Sequence, residues 1–293
     1  MERETRVSAL HMSLERAVAR GMRLATAACL AIGLAQPAAR AQPAQAPAKP
    51  LVGQPGKDAI WVPTPDALIA MMLDLAKVTA DDKVVDLGSG DGRAVIAAAR
   101  RGATARGIEF DANLVAVATA AATREGVADK ATFERADMFA TDFSNASVVV
   151  LFLLPDLNIK LRPSILAMKP GTRVVSNTFE MGGWLPDQVT TLREECEFFF
   201  CKALLWIVPA KVDGDWTIDI DGATGKLSLT QQFQTFTGSI ANGSAVTPIS
   251  GGRLVADELT FTAGGVAYSG KVRGDIIEGT TQSGKTWQAK RGS

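Results

Sequence analysis

Histidine is almost missing from this 293-residue chain: the one copy is His11, in the first segment. Past that segment a Ser-His-Asp or Cys-His nucleophile system is excluded, as is any His-ligated metal. Cysteine is scarce too. Of three copies, only Cys196 and Cys201 follow the first segment, and two thiols make no zinc cluster. Five residues apart on one extended segment, they would point to opposite faces, so a disulfide needs a turn between them; free buried thiols are the expectation. Charge of one sign is not in excess either. The chain holds 31 Lys/Arg and 31 Asp/Glu; without residues 1–41, 25 and 28 remain, a balance that argues against nucleic acid as a partner. The apolar run Leu24–Ala35 is closed by Gln36 and Pro37 and falls short of the roughly 20 residues that a membrane span needs. It follows the basic Arg16, Arg20 and Arg23 and precedes Ala39-Arg40-Ala41. This pattern predicts a secretory signal peptide over 1–41 and a periplasmic or otherwise exported product. A leader left unused or retained would instead give a cytoplasmic or membrane-associated protein.

With 47% hydrophobic residues, the chain can build two domains behind that leader. Residues 42–57, rich in Pro, Ala, Gln and Gly, read as a flexible linker. Over 58–210, strands and helices alternate. A helix is predicted from Asp66 to Val78, followed by a strand (Lys83 to Leu87), a glycine turn, a helix (Arg93 to Arg101), a strand (Ala105 to Glu109) and a helix (Ala112 to Glu125). Strands at 132–135, 147–154 and 172–178 and a helix at 157–168 continue the pattern, which implies a doubly wound parallel α/β sheet of Rossmann-like type. Two extended stretches, 191–196 and 201–208, lie too close for a crossover helix and should pair antiparallel at one sheet edge. Over 211–293 the pairs Asp213-Gly214, Asp221-Gly222, Asn242-Gly243, Gly251-Gly252, Gly264-Gly265 and Gly274-Asp275 read as turns between short strands. They predict a small all-β barrel or sandwich, with Gln231, Gln232 and Gln234 on a solvated face.

The chemistry concentrates in Asp86-Leu87-Gly88-Ser89-Gly90-Asp91-Gly92-Arg93, set after a buried strand and opening a helix. Glycines there allow positive φ and close approach of a ligand to the backbone. A dinucleotide fingerprint needs its third glycine three positions after the second; here Gly92 follows Gly90 by two. Asp86 and Asp91 would also repel a pyrophosphate, whereas they suit the ammonium and sulfonium of S-adenosylmethionine (SAM). Glu109 ends the next strand, where a carboxylate can accept both ribose hydroxyls. Asp137, with Met138, follows the third strand, where an adenine would lie. Three acids at successive strand ends select SAM over NAD.

These segments resemble the class I SAM-dependent methyltransferases. The nearer likeness, carried by Val62 to Pro65 (VPTP), DLGSGDGR, GIEFD, Leu153 to Pro155 and the Phe179/Trp184 segment, is to the ATP synthase c-subunit lysine methyltransferase family and its bacterial relatives. The resemblance implies methyl transfer from SAM to an amine, a protein lysine before a small molecule, with an exported SAM-fold binding protein lacking catalysis as the competing reading. The donor-binding set is then Thr64, Asp86, Gly88, Ser89, Gly90, Asp91, Gly92, Arg93, Glu109, Asp137 and Met138. The acceptor side is Pro155, Asp156 and Asn158, and no metal site is expected. Several of these residues also have a plain structural reading. Asp156 suits a helix N-cap, Thr64-Pro65 suits a helix start, and Trp61 and Trp184 suit packing before an acceptor channel.

Overall fold

The computed structural model describes residues 47–193 and 200–292, so the expected signal peptide and Cys196 lie outside the described residues. The first half is a seven-stranded sheet, its strands being β1 (Lys83–Leu87), β2 (Thr104–Glu109), β3 (Ala131–Arg135), β4 (Val148–Leu151), β5 (Arg173–Asn177), β6 (Gln188–Thr191) and β7 (Lys202–Ile207). They run in the order β3-β2-β1-β4-β5-β7-β6. The first five are parallel, and β7 is antiparallel to both β5 and β6. The antiparallel edge forms as expected, but the described part of its first strand starts at Gln188 rather than at Thr191.

Strand alternation sorts the core into two layers. Val84, Val148, Val150 and Val175 face α1 (Asp66–Leu75) and α2 (Arg93–Arg100), where Leu68, Ile69, Met72 and Val95 meet them. Val85, Leu87, Val149, Leu151 and Val174 share the opposite layer with Leu161 and Ile165 of α4 (Pro155–Leu166). Between them in sequence, α3 (Ala112–Arg124) starts at Asp111, whose carboxylate accepts from the N–H groups of Asn113 and Leu114, the N-cap device that satisfies orphan amides. Nearly continuous valine strands covered on both faces are what a parallel sheet demands. The strand order reverses between β1 and β4, and in such sheets ligands bind outside the carboxyl ends at this switch point.

The second half is a closed antiparallel barrel of β8 (Gly214–Ile220), β9 (Ala223–Gln232), β10 (Thr235–Asn242), β11 (Ala245–Val255), β12 (Glu258–Ala263), β13 (Val266–Arg273), β14 (Ile276–Thr281) and β15 (Thr286–Arg291), sealed by β15 on β8. Closure removes free edges. Its interior is packed solid with Trp216, Leu227, Phe236, Phe261, Ile277 and Trp287. Gly251-Gly252 proves to be no turn: it lies inside β11, where the pairing register slips, and a Cβ on Gly252 would sit 2.1 Å from the Phe236 carbonyl oxygen. The expected solvated glutamine face is also corrected. Gln234 is buried and donates to the Leu185 carbonyl, Gln231 ties Val212 to Ala210, and only Gln232 is exposed.

Candidate functional site

The turn after β1 takes its shape from three glycines at positive φ: Gly88 (78°), Gly90 (55°) and Gly92 (82°). The amides of Gly88 and Ser89 both donate to the Ile108 carbonyl on β2, and the Gly90 amide donates to a Glu109 oxygen at 2.9 Å. The other Glu109 oxygen accepts from the Asp111 amide at 2.9 Å. Two backbone donors thus fix the carboxylate plane, while each oxygen keeps a lone pair for a hydroxyl. Gly90 has a further reason to lack a side chain, since a Cβ there would lie 2.5 Å from the indole nitrogen of Trp61.

This turn floors a cavity at the carboxyl ends of β1, β2 and β4. Its walls include Thr64, Asp86, Gly88, Ser89, Gly90, Asp91, Arg93, Glu109, Asp137 and Met138, so the structure gathers ten of the eleven residues expected to bind the donor. Gly92 is the exception. It is the N-cap of α2, and a Cβ on it would meet the Phe133 ring at 2.6 Å and the Ala118 Cβ at 2.7 Å. Its glycine serves close helix–sheet packing. Thr64 is not a helix cap, since Pro65 holds that position without a side-chain bond; instead its carbonyl accepts from Arg93 and its hydroxyl oxygen from Asn177 Nδ2.

The acids of the cavity are not equivalent. Asp91 is clamped by the Arg93 guanidinium, which is raised above its usual pKa by that bond. Asp137 accepts from Lys57 Nζ at 2.6 Å and from the Phe139 amide, which hold it below the ordinary carboxylate range. Asp86 is buried, and among the described residues no donor reaches its carboxyl. Burial first, then the neighbouring Glu109 and Asp91, push it up to about 8. A buried acid with no partner, beside the buried and unbonded Ser89 Oγ, fits a cationic ligand with hydrogen-bonding groups.

Residues 48–61, whose first part was expected to be a flexible linker, form a strap along this cavity. Ala48 exchanges two bonds with the Asn113 side chain, Gly53 and Trp61 pair through their backbones, and Gly56 to Trp61 line the cavity. Lys57, which also sits 4.9 Å from the Phe110 ring centroid, was missed because a proline-rich stretch without apolar period carries no local signal of order. Phe152 of the cavity wall was missed as well, reading in sequence as one more residue of a buried strand.

The expected acceptor residues lie off this cavity. Pro155, Asp156 and Asn158 do not line the cavity. Pro155 opens α4, Leu154 rather than Asp156 is its N-cap, and Asp156 is exposed in the first turn. Asn158 is fully buried, its amide donating to the Phe179 and Glu180 carbonyls. Trp184 keeps the packing reading, stacked on Phe233 of the barrel, while Trp61 lines the cavity. Cys201 is disulfide-bonded, not the free thiol expected. No group of ligands fit to hold a metal ion occurs among the described residues.

Comparison with known proteins matches residues 86–188 to the ANTKMT methyltransferase domain. A protein-lysine N-methyltransferase of Saccharolobus islandicus is 41% identical over 137 residues, covering 46% of this chain and 85% of that one. The human ATP synthase c-subunit lysine N-methyltransferase is 41% identical over 108 residues, covering 36% of this chain and 46% of its own, so the chain spans most of the Saccharolobus relative and about half of the human one. A solved structure, an RNA methyltransferase from Salinibacter ruber in complex with S-adenosyl-L-homocysteine, is 45% identical at TM-score 0.48, covering 52% of this chain and 96% of that one. With its glycine turn, strand-end acids and sheet order, and with 41% identity over most of the Saccharolobus protein, the chain belongs to that protein's family of SAM-dependent methyltransferases.

Proposed function

We propose that the protein transfers the methyl group of SAM to the side-chain amine of a protein lysine. The carrying observation is the make-up of the cavity wall: the acids Asp86, Asp91, Glu109 and Asp137 share it with the apolar Trp61, Val62, Pro63, Phe152 and Leu153. Relatives at 41% identity, one named a protein-lysine and one an ATP synthase c-subunit lysine N-methyltransferase, support the same acceptor. Bound SAM supplies an electrophilic methyl on a positively charged sulfur. On the protein side, Glu109 takes the ribose hydroxyls, Asp137 (held charged by Lys57) and Met138 the adenine, and Asp86 the positive charge of the donor's methionine end. The acceptor nitrogen's lone pair would form the new N–C bond as the S–C bond breaks, leaving a neutral thioether, and the methylated ammonium so formed would release one of its own N–H protons to water. Such a displacement needs alignment more than a base, and an apolar wall favours the neutral, nucleophilic amine over the ammonium.

The test is methyl transfer from labelled SAM into fractionated cell extract, followed by mass spectrometry. Methyllysine in protein is the expected product; label confined to small molecules, or to residues other than lysine, overturns the acceptor assignment. We also propose that the protein works outside the cytoplasm, on the strength of the leader pattern and of a disulfide at Cys201, a bond of oxidising compartments. A mature amino terminus at Gln42 in a periplasmic fraction is the expected finding, and an intact leader in the cytosol contradicts it.

A further inference from the structure

Phe152, Phe179 and Phe200 converge beside the cavity although they come from the ends of three different strands. Their ring centroids lie 5.4 Å (Phe152 to Phe200), 5.5 Å (Phe179 to Phe200) and 6.1 Å (Phe152 to Phe179) apart. Phe152 lines the cavity. All three rings are only half-buried, so the aromatic surface runs from the cavity wall towards solvent.

Holding Phe179 there requires an unusual backbone. Thr178 before it takes φ +61°, a left-handed conformation uncommon for a β-branched residue. Four hydrogen bonds secure the turn: Thr178 N to the Lys202 carbonyl, Lys202 N to Thr178 Oγ1, Phe179 N to the Asn177 carbonyl, and Ser176 Oγ to the Phe179 carbonyl. Strain of this kind persists only where surrounding contacts enforce it, and here it enforces a ring that burial does not require. Behind the same wall, Asn177 directs its Nδ2 to Thr64 and leaves Oδ1 buried without a partner.

We propose that Phe152, Phe179 and Phe200 wall the passage by which the acceptor side chain enters, and that they determine its specificity for an aliphatic amine. The inference rests on the amine-acceptor reading above. Flat apolar rings accommodate a four-carbon stem by contact area and attract a methylated ammonium through their faces, a cation–π interaction, while offering nothing to a carboxylate or a sugar hydroxyl.

The test uses the full chain and two probes: Nα-acetyl-lysine methylamide as acceptor, and Nα-acetyl-Nε-trimethyllysine methylamide as a binding probe in the presence of S-adenosylhomocysteine. Phe179→Ala should raise KM for the acceptor at least fivefold and weaken the trimethyl probe by a similar factor, with SAM affinity by calorimetry unchanged within twofold. Phe179→Leu should restore much of the acceptor KM but not the trimethyl probe, because leucine returns area and no ring quadrupole. Unchanged KM and probe affinity with a lowered melting temperature would mean packing alone and overturn the proposal, as would a loss confined to SAM affinity. A wild-type chain that binds SAM but methylates no lysine amide overturns the amine reading itself; wild-type transfer with indifferent variants overturns only the aromatic wall.

Discussion

Glu109 and Asp86 stand one strand apart in the same cavity yet differ in the partners the protein gives them. Glu109 has both oxygens met by backbone amides; Asp86 has none and is pushed up to about 8. Glu109→Ala should therefore weaken SAM binding at least tenfold, about 1.4 kcal/mol, measured by calorimetry at neutral pH; unchanged affinity would remove Glu109 from the ribose contact. Asp86 makes binding pH-dependent. Because its folded pKa is raised, the ligand-free fold binds a proton that the unfolded chain releases, so its stability falls as pH rises from about 4 towards 8. A cationic ligand prefers the carboxylate and must expel that proton. SAM affinity should thus climb between pH 6 and 8, by at most about tenfold per unit, and flatten above. Asp86→Asn should bind more weakly at pH 8 and lose the climb, leaving only the ligand's own titration; a slope that survives the substitution assigns the proton elsewhere.

Among the elements, the glycine turn shows how one motif divides its labour. Gly88 and Gly90 face the ligand space, and Gly92 faces Phe133 of β3 and Ala118 of α3. Gly92→Ala should cost stability, about 1–3 kcal/mol, from overpacking and from φ +82°, visible as a fall of several degrees in Tm. SAM affinity of the folded fraction should hold within a few-fold; a larger loss with normal Tm would make Gly92 a ligand contact after all. The division was not legible in the sequence, which shows three glycines at fixed spacing but not which neighbours crowd them. The sheet, its antiparallel edge and the donor-side acids were legible, because valine runs, turn chemistry and strand-end position are local properties. The acceptor side was not. Asp156 and Asn158 looked chemical by residue type, yet the start of α4 turns one to solvent and seals the other under the 179–180 backbone. The strap escaped for the converse reason: its order comes from partners such as Asn113 and Asp137, 65 and 80 residues away.

At the scale of the whole molecule, the barrel is joined to the sheet domain by a contact that includes a buried charge. Phe233 stacks on Trp184, the Ala210 amide donates to the Ala256 carbonyl, and Gln234 reaches the Leu185 carbonyl. Beside them Asp187, its side chain 7% exposed, accepts from Arg253 of the barrel at 2.6 Å and from the Ile207 amide of β7 at 2.8 Å. Burial raises the Asp187 pKa, and the Ile207 amide and Arg253 oppose the rise. Removing Arg253 strips one compensating charge and leaves the carboxylate buried, a loss that is severe for fully buried pairs. Since Arg253 itself is 46% exposed and screened by solvent, Arg253→Ala should cost about 1–3 kcal/mol at pH 7. The sign of its pH dependence follows from the same carboxyl. Without Arg253 the folded pKa rises further, the native state holds its proton to higher pH, and unfolding free energy declines with pH over a wider window. In acid the variant's carboxyl takes up its proton before the wild type's does, so less charge is left unpaired there than at pH 7. Arg253→Ala should therefore lose less in melts under acidic conditions than at pH 7; an equal loss at both would show that Arg253 acts through packing rather than through the charge of Asp187.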